Sequence, residues 1–83
     1  MPRYYFHVFN GNGETRDEEG IELFDLGEAR AQAVTGIRSI LRDEVSNGRL
    51  DLSGVLKVAD EDQNVLFEVR FDEVVDIRSG PSA

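Results

Sequence analysis

An apolar stripe of helical period in the middle of the chain decides what the remaining segments can pack against. Its members recur at intervals of three and four residues, at Leu26, Ala29, Ala33, Ile37, Ile40 and Leu41. Asp25 lies three residues before Glu28, which is the spacing of a capping box, so the helix is predicted to begin there. Asn47-Gly48 is predicted to end it, because glycine accepts the left-handed conformation common after a last helical turn. The pattern therefore predicts one long helix with a single buried face.

The side of the helix away from the stripe is polar. Three arginines there, Arg30, Arg38 and Arg42, are predicted to form a solvated flank supported by carboxylates such as Glu28 and Asp43.

Gly36 interrupts the helical pattern. Glycine in a helix interior costs roughly 1 kcal/mol relative to alanine. The sequence therefore predicts that a neighbouring backbone packs close to this position.

Segments rich in aromatic and β-branched residues flank the helix on both sides. Before it we expect a strand, a hairpin turn and two short extended segments, at Arg3–Phe9, Asn10–Gly13, Glu14–Asp17 and Ile21–Phe24. After it we expect the two strands of a hairpin and their connecting loop, at Val55–Ala59, Val65–Phe71 and Asp60–Asn64. Residues 72–77 are expected to form a final turn or a strand extension.

These elements assemble into an α+β fold, a small antiparallel sheet in β-β-α-β-β order with one long helix packed on one face. Alternation along the strands places one set of side chains under the helix, namely Tyr4, Phe6, Val8, Leu56, Val58, Val65, Phe67, Val69 and Phe71. A chain of 83 residues has room for one two-layered core. We therefore expect a single domain over residues 1–78 and a flexible tail over residues 79–83.

The charge of the chain is one-sided, and this disfavours whole classes of partner. The 17 Asp and Glu residues against 9 Lys and Arg give a formal net charge of -8. Such a field repels phosphate backbones and anionic lipid surfaces, so neither a nucleic acid nor a membrane is a predicted partner. The chain has no cysteine, and we recognise neither an export signal nor an apolar run of about 20 residues. The expected localisation is cytoplasmic.

The sheet face away from the helix is predicted to carry Tyr5, His7 and Phe9, an unusually apolar set for a surface in water. One explanation is that a second copy of the chain or another protein covers this face. The other explanation is that the loops or the tail fold over it. These three residues are the candidate interaction surface.

His7 is the only histidine of the chain. Histidine serves as a general acid or base in many enzymes, but no nucleophile is identifiable beside it in the sequence. We therefore interpret His7 as structural rather than catalytic or ligand-binding.

The loop Asp60–Asn64 begins like a calcium-binding loop, with oxygen ligands at its first, third and fifth positions. The pattern then fails, because Val65 and Phe71 stand where glycine and glutamate are required. We interpret the loop as a solvated turn. The acidic run Asp17–Glu19 would join it in a cation-binding patch only if folding made the two segments neighbours.

Familiar catalytic constellations are missing from the sequence. Gly11-Asn12-Gly13 begins a dinucleotide-binding pattern, but Arg16 occupies the position of the third glycine. Motifs for phosphate binding, zinc binding and acyl transfer are absent. We therefore predict no catalytic or metal-binding residues, no cofactor and no enzymatic activity.

Several stretches of the chain resemble one family. They are Met1–Val8, Asp17–Leu23, Asp25 with Ala29, Arg30 and Ala33, and Val58 with Asp60. Together they are similar to a family of short bacterial proteins, typical of rhizobia and related alphaproteobacteria, that is classed as a domain of unknown function. The resemblance extends to about Phe71, although Tyr5 stands where phenylalanine is usual and Asn64 where glycine is frequent. It implies a compact domain without an assigned activity or functional residue.

A fainter likeness concerns layout alone. The order of elements is similar to that of small antitoxin domains that neutralise a toxin ribonuclease: a strand, a turn and a strand, followed by an alanine-rich helix with an acidic cap. Layout alone does not establish function. The expected function is a non-enzymatic protein-interaction module that self-associates or binds another protein. The alternatives are a small-ligand or metal-binding domain, or an antitoxin-like partner of a basic toxin protein.

Overall fold

The computed structural model describes residues 1–11 and 13–78. Asn12, in the predicted hairpin turn, and residues 79–83, predicted to be a flexible tail, lie outside the described residues. The described residues form an open antiparallel sheet of five strands and one helix, which confirms the predicted α+β class. In this part of the chain, no helix combines the length and the apolar content needed to cross a membrane.

The helix, α1, spans Leu26–Ser46 and is capped at both ends. Oδ1 of Asp25 accepts a hydrogen bond from the N–H of Glu28 at 2.9 Å, as the sequence predicts. Oε1 of Glu28 reaches one residue further back than in a standard capping box, and accepts from the N–H of Phe24 at 2.7 Å. At the other end Gly48 has a φ of 77° and donates back into the last turn.

The five strands are β1 Arg3–Asn10, β2 Gly13–Thr15, β3 Ile21–Glu22, β4 Val55–Ala59 and β5 Val65–Arg70. The sheet order is β2-β1-β4-β5, and β3 pairs with the beginning of β1. Because β4 occupies one side of β1, both β2 and β3 lie on its other side. A 3₁₀ turn at Phe71–Glu73 comes directly after β5, so the last strand ends one residue earlier than predicted.

The core lies between α1 and one face of the sheet, as the alternation of side chains predicts. The helix contributes its buried stripe of Ala29, Ala33, Ile37 and Leu41. The strands contribute Tyr4, Phe6, Val8, Leu56, Val58, Phe67 and Val69, and Phe71 closes one end of the core from the 3₁₀ turn.

Two predicted core positions are wrong. Leu26, the first member of the predicted stripe, is 52% exposed at the start of α1. Val65 was predicted to lie under the helix and does not. A β-bulge between Val58 and Ala59 shifts the register, so that Ala59 pairs with Val65 while Val58 pairs with Phe67. One extra residue in a strand moves the residues beyond it to the opposite face of the sheet. Val65 therefore lies beside Ala59 on the face away from the helix, where it is 50% exposed.

Carboxylates cap two backbone N–H groups of the sheet that point away from the neighbouring strand β4. On the outer side of β1, in the gap between β2 and β3, the N–H of Phe6 donates to Oδ2 of Asp17 at 3.1 Å. On the outer side of β5, the N–H of Arg70 donates to Oε1 of Glu73 at 2.6 Å. Carboxylate oxygens thus accept hydrogen bonds that the carbonyl groups of a further strand would otherwise accept.

The expectation for Gly36 is wrong. A Cβ added at this position would meet no atom of the described residues within 4 Å, apart from its chain neighbours and the helix's own backbone. Gly36 therefore allows no close approach of another segment, and nothing in the structure explains why glycine stands there.

The predicted carboxylate partners of the helix arginines are also wrong. Arg30 lies 3.8 Å from Glu73, which is in the 3₁₀ turn after β5. Nε of Arg38 donates to the carbonyl of Val74 at 3.0 Å. Among the described residues, the Arg42 guanidinium donates only a long hydrogen bond of 3.4 Å to Oγ of Ser39. The polar flank is thus held mainly by the segment after β5.

Candidate functional site

The face of the sheet away from α1 consists of three cross-strand rows, which we call the open face. The rows are Tyr5-Ala59-Val65, His7-Lys57-Glu68 and Phe9-Val55-Arg70, each running across β1, β4 and β5. Residues paired across neighbouring strands point to the same side of a sheet. The structure therefore brings the three predicted residues of β1 onto one surface together with Val55 and Val65.

The three predicted residues differ in exposure. Tyr5 and Phe9 are half-buried, whereas His7 is only 5% exposed. The Tyr5 and His7 rings stack with centroids 6.5 Å apart and planes at 16°. Nζ of Lys57 lies 4.8 Å from the centroid of the Phe9 ring, in the geometry of a cation–π interaction. Aromatic surface on the open face thus comes from Tyr5 and Phe9, whereas His7, in the row between them, is buried.

Both nitrogens of the His7 ring are hydrogen-bonded by loops of the same chain. The backbone N–H of Asp17 lies 3.0 Å from Nδ1, and Oε1 of Gln63 lies 3.1 Å from Nε2. A backbone N–H can only donate, so Nδ1 accepts and Nε2 carries the proton that it donates to Gln63. In this geometry the lone pair of Nδ1 is already used by a hydrogen bond within the chain.

The partner of Nε2 comes from a loop with an unusual backbone. Gln63 has a φ of 66°, in the left-handed region that few residues other than glycine occupy. Asp60 organises the loop, since its Oδ1 accepts from the N–H groups of Asp62 and Asn64, each at 2.9 Å. The turn fixed in this way brings the Gln63 amide to the edge of the His7 ring, at Nε2.

Asp17 ties the second loop to the sheet. Its carboxylate accepts hydrogen bonds from the N–H groups of Phe6, Glu19 and Gly20, at 3.1, 3.2 and 3.1 Å. Burial by itself would raise the pKa of this carboxyl. The three N–H donors, with a smaller contribution from His7, outweigh burial and hold the pKa of Asp17 below its ordinary value of 3.8. The carboxylate is therefore bound in its charged form.

The acidic segments do not converge on a cation site. Among residues 1–11 and 13–78, no three Asp, Glu or His side chains are grouped closely enough to hold a metal ion. Asp17 is directed at the edge of β1, and the Asp60 carboxylate accepts from N–H groups of its own loop. Each carboxylate thus has a local structural role.

The open face carries both signs of charge. Lys57 lies 3.9 Å from Glu68 in the middle row. Arg70 binds Asp72 at 2.9 Å, and this hydrogen bond and charge raise the pKa of the guanidinium above its ordinary value. On a chain of net charge -8, the open face is a region where cations and anions alternate.

Sequence reasoning misses two of the residues that shape this site. Nothing in the sequence indicates that Gln63 contacts His7, because only its left-handed backbone brings the amide to Nε2 of the ring. Asp17 stands out in the sequence only as part of an acidic run, yet an aspartate two and three residues before potential N–H donors is typical of a side-chain-capped turn. Alternation assigns Val65 to the wrong face, because a bulge cannot be located from alternation alone.

The fold and its open face define a class of small α+β domain, with one helix covering one face of an antiparallel sheet. The chain belongs to the family described as Domain of unknown function (DUF6894), whose model matches residues 3–72. The matched region runs from the first residue of β1 into the 3₁₀ turn, so it includes the helix, all five strands and the whole open face. Searches of curated proteins and of solved structures give no match to the chain.

Proposed function

We propose that this protein is a non-enzymatic interaction module of the cytoplasm that self-associates through the open face. One observation carries the proposal: Tyr5, Phe9, Val55 and Val65 all present apolar surface on this side of the sheet, where the loops of Asp17 and Gln63 reach only as far as His7 among the described residues. An antiparallel sheet with apolar residues on both faces gains free energy when its second face is covered.

A second copy of the chain suits this surface because the open face is complementary to itself. In a two-fold arrangement each patch meets the same patch of its partner, so the lysine and arginine of one copy can oppose the glutamate of the other. Lys57, Glu68 and Arg70 supply these charges in adjacent rows. Two sheets packed in this way lie about 10 Å apart, with their apolar side chains interleaved.

The geometry of His7 supports a non-enzymatic role. Its ring is buried, and both of its nitrogens are engaged in hydrogen bonds with loops of the same chain. A general base needs an accessible lone pair within reach of a substrate proton. The network that holds His7 instead fixes the two loops against the sheet.

Measurement of molar mass by light scattering across a concentration series tests the proposal. We expect a concentration-dependent dimer, weakened at least about tenfold by Val65→Lys, because a lysine there must be desolvated in the interface. Val45→Lys is the matched control, since Val45 is 58% exposed on the helix and Val65 is 50% exposed on the open face. A monomer at about 1 mM, or equal weakening by both variants, would overturn self-association through this face.

Salt dependence separates a second copy from the alternative of a basic toxin-like partner. Two copies of charge -8 repel each other, so added salt should strengthen the dimer by screening that repulsion. A complex with a basic protein should weaken under the same conditions. A dimer that dissociates between about 0.05 and 0.5 M salt would therefore contradict association through an apolar face.

A further inference from the structure

A second apolar surface lies beside the last turns of α1, away from the open face. Five side chains line a groove of about 420 Å³ between the end of the helix and the segments that come after α1 and β5: Leu41, Val45, Leu50, Val75 and Ile77. Val45, Leu50 and Ile77 are 58%, 53% and 60% exposed. Scattered exposed apolar residues are normal on protein surfaces, but three in one groove indicate a binding surface.

Two arginines border this groove, and neither makes an ion pair with any described residue. Arg38 and Arg42 stand one helical turn apart. To the described residues, their guanidinium groups donate hydrogen bonds only to the carbonyl of Val74 and, at 3.4 Å, to Oγ of Ser39. The other arginines on the surface of this acidic chain include Arg3, Arg16 and Arg70, and each of those three has a carboxylate partner.

We infer that this groove docks an amphipathic helical segment of another protein that carries apolar side chains and two carboxylates one turn apart. Side chains at i and i+4 on a helix are about 5–6 Å apart at their Cβ atoms, so Arg38 and Arg42 match carboxylates with the same spacing on a partner helix. The apolar floor between α1 and Ile77 receives the partner's apolar stripe.

The other occupants fit less well. Sites for small molecules bury most of their ligand, whereas the walls of this groove are themselves more than half exposed at three positions. A second copy docking groove to groove would bring the arginine pairs of the two copies together. The inference does not depend on the proposed self-association, because the groove and the open face share no residue.

A synthetic peptide of about 15 residues, long enough for a helix to form on binding, is the probe. It carries leucines at every third or fourth position and two glutamates one turn apart beside them, and a matched peptide has lysine in place of each glutamate. Titration is monitored through the backbone amide NMR signals of the full chain. We expect the glutamate peptide to shift the signals of Val45, Leu50 and Ile77, and the lysine peptide to bind at least about tenfold more weakly.

Charge reversal on the protein provides the second arm. Arg42→Glu should weaken binding of the glutamate peptide and strengthen binding of the lysine peptide. Arg16→Glu should leave the binding of both peptides unchanged, because Arg16 lies on the β2 side of the sheet beside Glu14. Arg42 is preferred to Arg38, whose hydrogen bond to Val74 contributes to the fold.

Three results would overturn the inference. The first is the absence of binding by the glutamate peptide at about 1 mM. The second is equal binding of both peptides. The third is tighter binding of dodecanoate than of the peptide at the same amides, which would identify a small anionic amphiphile as the occupant.

Discussion

Replacement of Asp17 by asparagine removes a charge and one of two acceptor oxygens from the turn that closes the edge of β1. In the native protein Oδ2 accepts from Phe6, while Oδ1 accepts from Glu19 and Gly20. Asparagine has a single oxygen, so one of these two groups of donors must face an NH₂ group instead. A half-buried N–H left without an acceptor costs about 1–3 kcal/mol, and partial contact with solvent places this one near 1–2 kcal/mol.

This loss is large enough to measure by thermal unfolding. For a domain of this size, 1 kcal/mol corresponds to about 4–8 °C in Tm, so Asp17→Asn should lower the Tm by about 5–15 °C at neutral pH. Asp62→Asn is the matched control, because it makes the same change of charge in a loop where the Asp62 backbone N–H, rather than its carboxylate, makes the hydrogen bond. Circular dichroism on the three proteins under identical conditions gives the comparison.

The pH dependence of the difference provides a second check. Because the folded-state pKa of Asp17 lies below its ordinary value of 3.8, its contribution is fully present above pH 3.8 and is lost as the pH falls through the folded-state value. Asparagine does not titrate, so the native protein and Asp17→Asn should converge in Tm in strong acid. Equal Tm values for Asp17→Asn and Asp62→Asn at pH 7, or a gap that persists unchanged in strong acid, would refute the reasoning.

Substitutions at three further positions test the packing around the helix and the site. Gly36→Ala should raise the free energy of unfolding by about 0.4–1 kcal/mol, because the added methyl group meets open space and the helix gains propensity. Gly54→Ala should lower it by about 1–3 kcal/mol, because its Cβ would lie 2.6 Å from the buried ring of Phe71. Gln63→Ala should cost about 1–3 kcal/mol by leaving Nε2 of His7 without an acceptor, and Gln63→Gly should recover about 1 kcal/mol of that loss by relieving the left-handed backbone. Urea unfolding curves measure all four variants. The packing described would be contradicted unless Gly36→Ala is more stable than the native protein and Gly54→Ala is less stable.

Most of the fold was predictable because its signals are local. Asp25, Glu28 and Gly48 mark the ends of the helix through interactions with residues only three or four positions away. Alternation in β1 and β4 predicts which residues lie beneath the helix, and their burial confirms this. Periodicity determines a face well wherever a strand is regular.

The remaining features depend on contacts between residues far apart in the sequence. His7 meets Gln63 across 56 positions, and Arg38 meets Val74 across 36. The bulge that moves Val65 to the open face arises from the pairing of β5 with β4 and leaves no mark on the alternation of β5 itself. The candidate surface was therefore predicted in its β1 residues, Tyr5, His7 and Phe9, but not in the residues that complete it.

The carboxylate caps of Asp17 and Glu73 also bear on how copies of this protein can accumulate. Edge-to-edge addition of β-strands is the route by which sheet proteins polymerise into fibrils, and it requires unpaired backbone donors and acceptors at the edge of the sheet. Here an intruding strand would first have to displace an internal carboxylate at Phe6 or Arg70. Growth of that kind is therefore disfavoured at these two positions of the sheet, where the backbone N–H is already occupied.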